Sequence, residues 1–328
     1  MSEVHAIRVH RHGGPEELHY EAVEVGHPGS GEARVRHTAI GLNFTDVHHR
    51  TGRYPLAQLP HVIGMEAAGV IEELGPAAPA GLAVGDRVAY ASEKPRSYAQ
   101  ATVMPAGRLV KLPPGITDEI GAALILKGLT AQYLIRSTYR LGAGETILVH
   151  AAAGGVGLIL CQWAKSLGAR VIGTVSTDEK AQLARQHGCD HPIVYTREDV
   201  AARVRELSGG AGLPVVFDGV GASTFEISLA CLRRRGLLVS YGSASGVVPP
   251  IELFRLNRMG SLFVTSAGLA DYIADREELL QRADELFGVV AAGKVQIEVK
   301  QRYPLAEAAR AHRDLEARRT AGSSILLP

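Results

Sequence analysis

From residue 128 onward, apolar runs and amphipathic stretches alternate along the chain. Ile147, Leu148 and Val149 form a short apolar run, the kind that becomes a parallel strand buried on both faces. Small residues follow, Ala151-Ala152-Ala153-Gly154-Gly155-Val156-Gly157. Val156, Ile159, Leu160, Trp163, Ala164 and Leu167 then recur at helical spacing, and Gly168 stops the pattern. The same reading predicts strands at 146–150, 170–175, 192–195, 214–218, 237–241 and 261–265, with helices at 156–167, 178–187, 197–207 and 223–232. Such alternation builds a parallel sheet with helices on both faces, through right-handed crossovers. Six strands with a glycine turn after the first fit the doubly wound dinucleotide fold.

Residues 1–127 read differently, as short strands punctuated by Gly and Pro. Candidates are Ala33 to Ile40, Ala68 to Leu74, Asp86 to Tyr90, Ser97 to Met104 and Arg108 to Leu112. Few regular helices are expected there, so this is a mainly β module. After residue 267 the pattern predicts a helix from Asp275 to Ala292, a strand near 295–299, a helix from Leu305 to Arg318 and a last strand from Ser323 to Leu327.

Composition adds exclusions. The 328 residues allow two domains and a large core, and a formal net charge of +1 gives no reason to expect a polyanionic partner. Cys161, Cys189 and Cys231 lack paired spacing, which points to a reducing cytoplasm and to neither a disulfide framework nor a zinc knuckle. The N-terminal stretch lacks the apolar core of a secretory signal, and no run approaches the length of a membrane span, so a cytoplasmic location is expected. Nine of the thirteen histidines fall before residue 62, and exposed or core-satisfied imidazoles account for such a cluster better than a site does.

The turn after the first strand carries the chemistry. A strand, a glycine turn and a helix N-terminus present free N–H groups and the positive end of a dipole to an anion. Against the dinucleotide pattern G-x-G-x-x-G the aligned positions are Ala152, Gly154 and Gly157, so the first glycine is replaced. The whole stretch, with Leu148, Gly155, Gln162 and Lys165 at matching spacings, resembles the signature of the zinc-free, zeta-crystallin-like quinone oxidoreductases among the medium-chain dehydrogenases/reductases. The run Gly64-Met65-Glu66-Ala67-Ala68-Gly69-Val70 with Gly85-Asp86-Arg87-Val88 resembles the substrate domain of the same superfamily.

That resemblance covers essentially the entire chain. It implies a Rossmann doubly wound domain (128–267) that binds NADPH and a GroES-like, mainly β catalytic domain (1–127, completed by 268–328), with the active site in the cleft between them. It also implies a homodimer joined through the edge of the parallel sheet. Zinc-dependent relatives carry a cysteine where this chain has Asn43, and Gly-His-Glu where it has Gly64-Met65-Glu66, so no metal is expected. Without a Lewis acid the fitting substrate is one that already accepts hydride readily, a quinone or, alternatively, an activated C=C bond as in an enone. A structural or RNA-binding role is a third reading, against which the neutral charge argues.

Asn43, Asp46 and Tyr54 are the polar candidates to hold or protonate the acceptor oxygen, although Asn43 and Asp46 could equally only shape their loop. The resemblance lines the nicotinamide with Phe44, Thr45 and Asp46, and places Lys127 at the domain junction and Tyr133 against the cofactor. Gly154, Gly155, Val156 and Gly157 receive the pyrophosphate, and Val220 with Tyr241, Gly242, Ser243, Ser245 and Gly246 stands at the ends of strands four and five. The second strand ends at Ser176-Thr177 with no acid to accept from a ribose hydroxyl, so a 2′-phosphate is not repelled. Lys180, Tyr195 and, by resemblance, Arg318 would hold that phosphate. Asp178 and Glu179 are expected to cap the following helix and point to solvent.

Overall fold

The computed structural model describes residues 2–328. In chain order the first elements are β1 (Ser2–Val9), β2 (Leu18–Val25), β3 (Glu32–Gly41), α1 (Phe44–Arg50), β4 (His61–Val62), β5 (Glu66–Leu74), β6 (Arg87–Ala91), β7 (Ala101–Pro105) and β8 (Val110–Lys111). After α2 (Asp118–Tyr133) come β9 (Thr146–Val149), α3 (Gly155–Ser166), β10 (Arg170–Val175), α4 (Asp178–Gln186), β11 (His191–Val194), α5 (Val200–Leu207) and β12 (Leu213–Asp218). The remainder is α6 (Phe225–Cys231), β13 (Leu232–Ser240), α7 (Leu253–Arg258), β14 (Phe263–Ser266), α8 (Leu269–Tyr272), α9 (Arg276–Ala291), β15 (Val299–Pro304), α10 (Ala308–Glu316) and β16 (Ser323–Leu327). Packing divides the chain into two units. One is the chain up to Lys127 with Ile273–Phe287 and Ile297–Pro328; the other is Gly128–Tyr272 with Gly288–Gln296.

The first unit holds two sheets. A small one runs β2-β1-β4, and a larger one runs β15-β16-β3-β5-β6-β8, with β7 paired to β3 off that path. Antiparallel β3 and β5 bury one face on Val35, Ile40, Ala67 and Ile71, which join Tyr90, Tyr98, Met104 and Leu326 in one core. The sequence pattern did not predict the β1–β2 hairpin, because its burial is patchy and its exposed positions mix charged, neutral and apolar residues such as Glu3, His5, Tyr20 and Ala22. The strand expected near 295–299 lies instead at Val299–Pro304. There the backbone pairs in parallel with β16 and only Tyr303 is buried, so the strand lacks an apolar signature.

The chain's last strand lies inside this sheet, between β15 and β3. The last helix is fixed by a buried charge. The Arg50 guanidinium, 1% exposed, donates to both carboxylate oxygens of Glu316 at 2.8 and 2.9 Å and to the Gly13 carbonyl at 3.1 Å.

The second unit is a six-stranded parallel sheet in the order β11-β10-β9-β12-β13-β14. Its central strands β9 and β12 are largely apolar runs, as burial on both faces requires; all six residues of β12 are buried. Leu148, Ile172, Val216 and Leu238 from four strands pack with Phe225 and Leu229 of α6 and Val204 of α5. The edge strand β14 is different, with Phe263 more than half exposed.

The arginine pair gives a stability prediction. Glu316→Ala leaves Arg50 buried without its counter-charge, which should destabilise the protein by about 3–5 kcal/mol. Urea unfolding that shifts by under about 1 kcal/mol would show that the pair is not what holds α10.

Candidate functional site: a strand-to-helix turn and a buried polar cluster

In the parallel unit, β9 ends at Val149 and α3 begins at Gly155, so the chain turns within five residues. The turn is closed by the Gly154 N–H donating to the Ala151 carbonyl at 2.9 Å. Close packing explains Gly157, where a Cβ would stand 2.3 Å from that carbonyl oxygen and 2.8 Å from Ala152 Cα. Alignment put the replaced glycine at Ala152, but the left-handed residue is Ala151, at φ +53°. That conformation costs an L-residue roughly 1–2 kcal/mol. The helix cap, Gly154, has no side chain, so the first N–H groups of α3 are left to an anion.

A network that the sequence did not reveal supports this turn. Asp218, at the end of β12, accepts from the Val220 and Gly221 amides at 2.8 and 3.1 Å, and from Thr224 and Ser228 hydroxyls at 2.8 Å. Because Ser228 donates to Asp218, its oxygen accepts from His150 Nε2 at 3.1 Å. His150 Nδ1 then accepts from Thr174 Oγ1 at 2.9 Å, and that oxygen in turn receives the Ala151 N–H at 3.3 Å. Burial holds His150 below the ordinary imidazole pKa, against the pull of Asp218, so the ring is neutral. The serine donates to the aspartate and not to the histidine, so this trio is a brace and not a nucleophilic triad.

The other expected cofactor positions lie around the same sheet end. Val175 and Val194 pair across β10 and β11, which sets Ser176 and Thr177 beside Tyr195. Thr177, not Asp178 or Glu179, caps α4, accepting from the Lys180 N–H at 3.3 Å. Asp178 is neutralised by a two-bond ion pair with Arg197, whose position had carried no signal. At the ends of β12 and β13, Ser245 donates to the Val220 carbonyl from both its amide and its hydroxyl at 2.8 Å. Gly242 allows close approach, since a Cβ there would lie 2.6 Å from the Gly219 carbonyl. Tyr241, Ser243 and Gly246 are half-buried around this junction.

Two of the expected site residues are buried. Tyr133 is 1% exposed, stacks on Tyr272 at 4.1 Å and donates its hydroxyl to the Ala267 carbonyl at 3.1 Å, so it braces its own unit. Asp46 has no exposed surface either, and cannot touch an acceptor. It closes the first turn of α1, where its Oδ2 accepts from the Asn43 N–H at 2.8 Å and from Tyr98 Oη at 3.0 Å. Tyr98 in turn meets His312 Nε2 at 3.1 Å, and Arg50 donates to His312 Nδ1 at 3.0 Å. Burial, then the Arg50 charge, lowers His312 to about 3, which keeps it neutral.

Asn43 is nearly buried, and Phe44 and Thr45 are half-buried at the start of α1. Lys127 is also buried, its ammonium paired with Glu66. Tyr54 is 39% exposed and packs edge-on against His48 at 4.9 Å and His49 at 5.7 Å. Burial lowers both histidines to about 4, so they are neutral, apolar supports for that ring. Arg318 lies in the first unit, exposed and at φ +58°. Among the described residues no group of three His, Cys, Asp or Glu side chains is placed to hold a metal ion.

Comparison with known proteins decides the family. Residues 29–139 match the alcohol dehydrogenase GroES-like domain, and residues 155–285 match the zinc-binding dehydrogenase domain. A quinone oxidoreductase of Pseudomonas aeruginosa is 53% identical over 98% of this chain and 99% of its own. The chain belongs to the quinone oxidoreductases of the medium-chain dehydrogenase/reductase superfamily. The crystal structure of the Escherichia coli quinone oxidoreductase complexed with NADPH superposes with a TM-score of 0.97 at 46% identity, covering 99% of this chain and 100% of that one. A 2-haloacrylate reductase of Burkholderia is also 46% identical, over 99% of both chains. The quinone oxidoreductase family thus accounts for both units: the parallel sheet is its Rossmann fold and the mainly β unit its GroES-like fold.

The buried Asp46 gives a pH prediction. Burial is the largest influence and pushes its carboxyl up from 3.8 to about 7, with Asn43 and Tyr98 pulling the other way. A raised carboxyl contributes stability that is fully present below about pH 4 and lost as pH rises through about 7. Asp46→Asn mimics the protonated form. The wild type should therefore lose stability relative to the variant across that window, on the order of 1 kcal/mol per pH unit. A pH-independent difference in urea unfolding would contradict this.

Proposed function

We infer that the protein is an NADPH-dependent quinone oxidoreductase. The observation that carries this is full-length kinship with quinone oxidoreductases, one of them solved with NADPH. The residues present suit the dinucleotide. The open N-terminus of α3, the cradle that a Cβ at Gly157 would fill, and the absence of an acid at the end of β10 all favour a pyrophosphate and a 2′-phosphate. When bound, the reduced nicotinamide supplies the hydride.

In this reading the backbone of Gly154, Gly155, Val156 and Gly157 holds the pyrophosphate, and Ser176, Thr177, Lys180 and Tyr195 hold the 2′-phosphate. Val220 and the Tyr241 to Gly246 segment line the cofactor's path. The Arg197–Asp178 pair offsets the Asp178 charge that would otherwise repel the phosphate. Asn43 and Tyr54 contact a planar acceptor, and Asp46 works from behind Asn43. No helix among the described residues is long and apolar enough to cross a membrane, and all three cysteines are free and buried. Both fit a cytoplasmic enzyme.

The phosphate pocket is tested by Lys180→Ala. A charge-assisted hydrogen bond is worth about 1.5–3 kcal/mol, so the KM for NADPH should rise by roughly one to two powers of ten, with NADH almost unaffected. Equal losses with both cofactors, or a wild-type preference for NADH, would show the pocket misread. An acceptor series containing quinones and enones, run in the same assay, ranks the substrate classes.

We also propose a homodimer through β14. That strand forms one edge of the parallel sheet, and Phe263, Leu253 and Phe254 are each more than half exposed along it and the preceding helix. An apolar open edge invites pairing with a second copy. Light scattering at micromolar concentration should give twice the mass of 34.8 kDa. A monomer there would count against it.

A further inference from the structure

Glu66 has no exposed surface, yet two segments far apart in sequence converge on its carboxylate. Its Oε1 accepts from Asn43 Nδ2 at 2.8 Å and is paired with the Lys127 ammonium. Its Oε2 accepts from the Leu126 amide at 2.9 Å. Space for it is reserved on the neighbouring strand, since a Cβ at Gly41 would stand 2.2 Å from Oε1. Two of the three groups it holds, Asn43 and Lys127, are ones the sequence singled out; Glu66 itself was noted only as part of a motif.

Stability does not account for this arrangement. A buried ion pair is often no better than apolar side chains of the same volume, because desolvation offsets the attraction. What it does provide is direction. An acid on one side compels the Asn43 amide to turn Nδ2 inward, since a carbonyl oxygen facing a carboxylate would be repelled. One Nδ2 N–H is thereby committed, and the second is fixed relative to it by the planarity of the amide. Asn43, at 8% exposure, is the outermost member of the trio, with Lys127 at 5% and Glu66 at 0% behind it.

We propose that Glu66 is a positioning residue for quinone reduction: held by Lys127, it orients the Asn43 amide so that the second Nδ2 N–H meets the acceptor's oxygen. This rests on the quinone-reductase reading above. As the acceptor gains a hydride, with its two electrons, negative charge collects on that oxygen until a proton from solvent neutralises it. A donor aimed beforehand at the developing charge lowers the barrier without reorganising during the reaction. Lys127 acts as the counter-ion that lets the carboxylate stay in the interior.

The test is a mutant cycle. Glu66→Leu combined with Lys127→Met removes both charges and keeps apolar volume, so a folded protein with a Tm near wild type is expected. Its kcat for a soluble quinone should fall at least tenfold, while the KM for NADPH stays within twofold. Adding Asn43→Ala to that pair should cost nothing further, because Glu66 acts through Asn43. Independent, multiplying losses, or a wild-type kcat in the pair, would overturn the proposal. Should the double variant not fold, Glu66→Asp draws the carboxylate back by one methylene and keeps the charge. A tenfold lower kcat at an unchanged Tm supports positioning, and full activity overturns it. If the wild type itself fails to turn over quinone with NADPH, the functional reading fails first, which the same assay shows directly.

Discussion

The end of the parallel sheet depends on one buried carboxylate, Asp218. Asp218 gathers two backbone amides and two hydroxyls where β12 ends. Through Ser228, His150 and Thr174 its influence reaches the amide of Ala151. An unsatisfied buried acceptor is expensive, so each donor is held in one orientation, and the loops leaving β9, β10 and β12 inherit that order. The left-handed Ala151 is tolerable because its N–H has a fixed partner on the neighbouring strand.

The mainly β unit repeats the device with different chemistry. Around Asn43, two buried acids bind from opposite sides: Asp46 takes the backbone N–H and Glu66 takes the side-chain amide. Behind Asp46 a single-file row of donors, Tyr98, His312 and Arg50, leads to Glu316. Hydrogen bonds thus fix the segment through both the backbone and the side chain of one residue.

How much of this was legible follows from where the partners lie. Continuous apolar runs and small-residue turns are local, so the six parallel strands and the helix after the glycine turn were readable within a residue or two for most of their lengths. β13 begins at Leu232, five residues before the run that announced it, because its first turn of sequence is three exposed arginines. Tyr98 meets Asp46 across 52 residues and His312 across 214. No window of sequence contains such a pair, and a histidine in an amphipathic helix looks like any other. Family resemblance located Tyr133 near the cofactor, but only coordinates reveal that Tyr272 and Ala267 claim both its face and its hydroxyl.

The placement of β16 bears on how the protein is made. The strand that sits between β15 and β3 follows every other strand of its sheet in the chain. Everything that the parallel unit needs, by contrast, has emerged some thirty residues earlier, with Gln296. On a ribosome adding about 5–20 residues per second, the second unit can close while the first still lacks the interior strand of its main sheet. Until β16 has emerged, Ile40 and Gly41 present an open strand edge that Leu326 and Ile325 will later cover. A stalled or truncated polypeptide therefore exposes a sticky β edge attached to an otherwise finished nucleotide domain, the kind of half-built species that chaperones recognise.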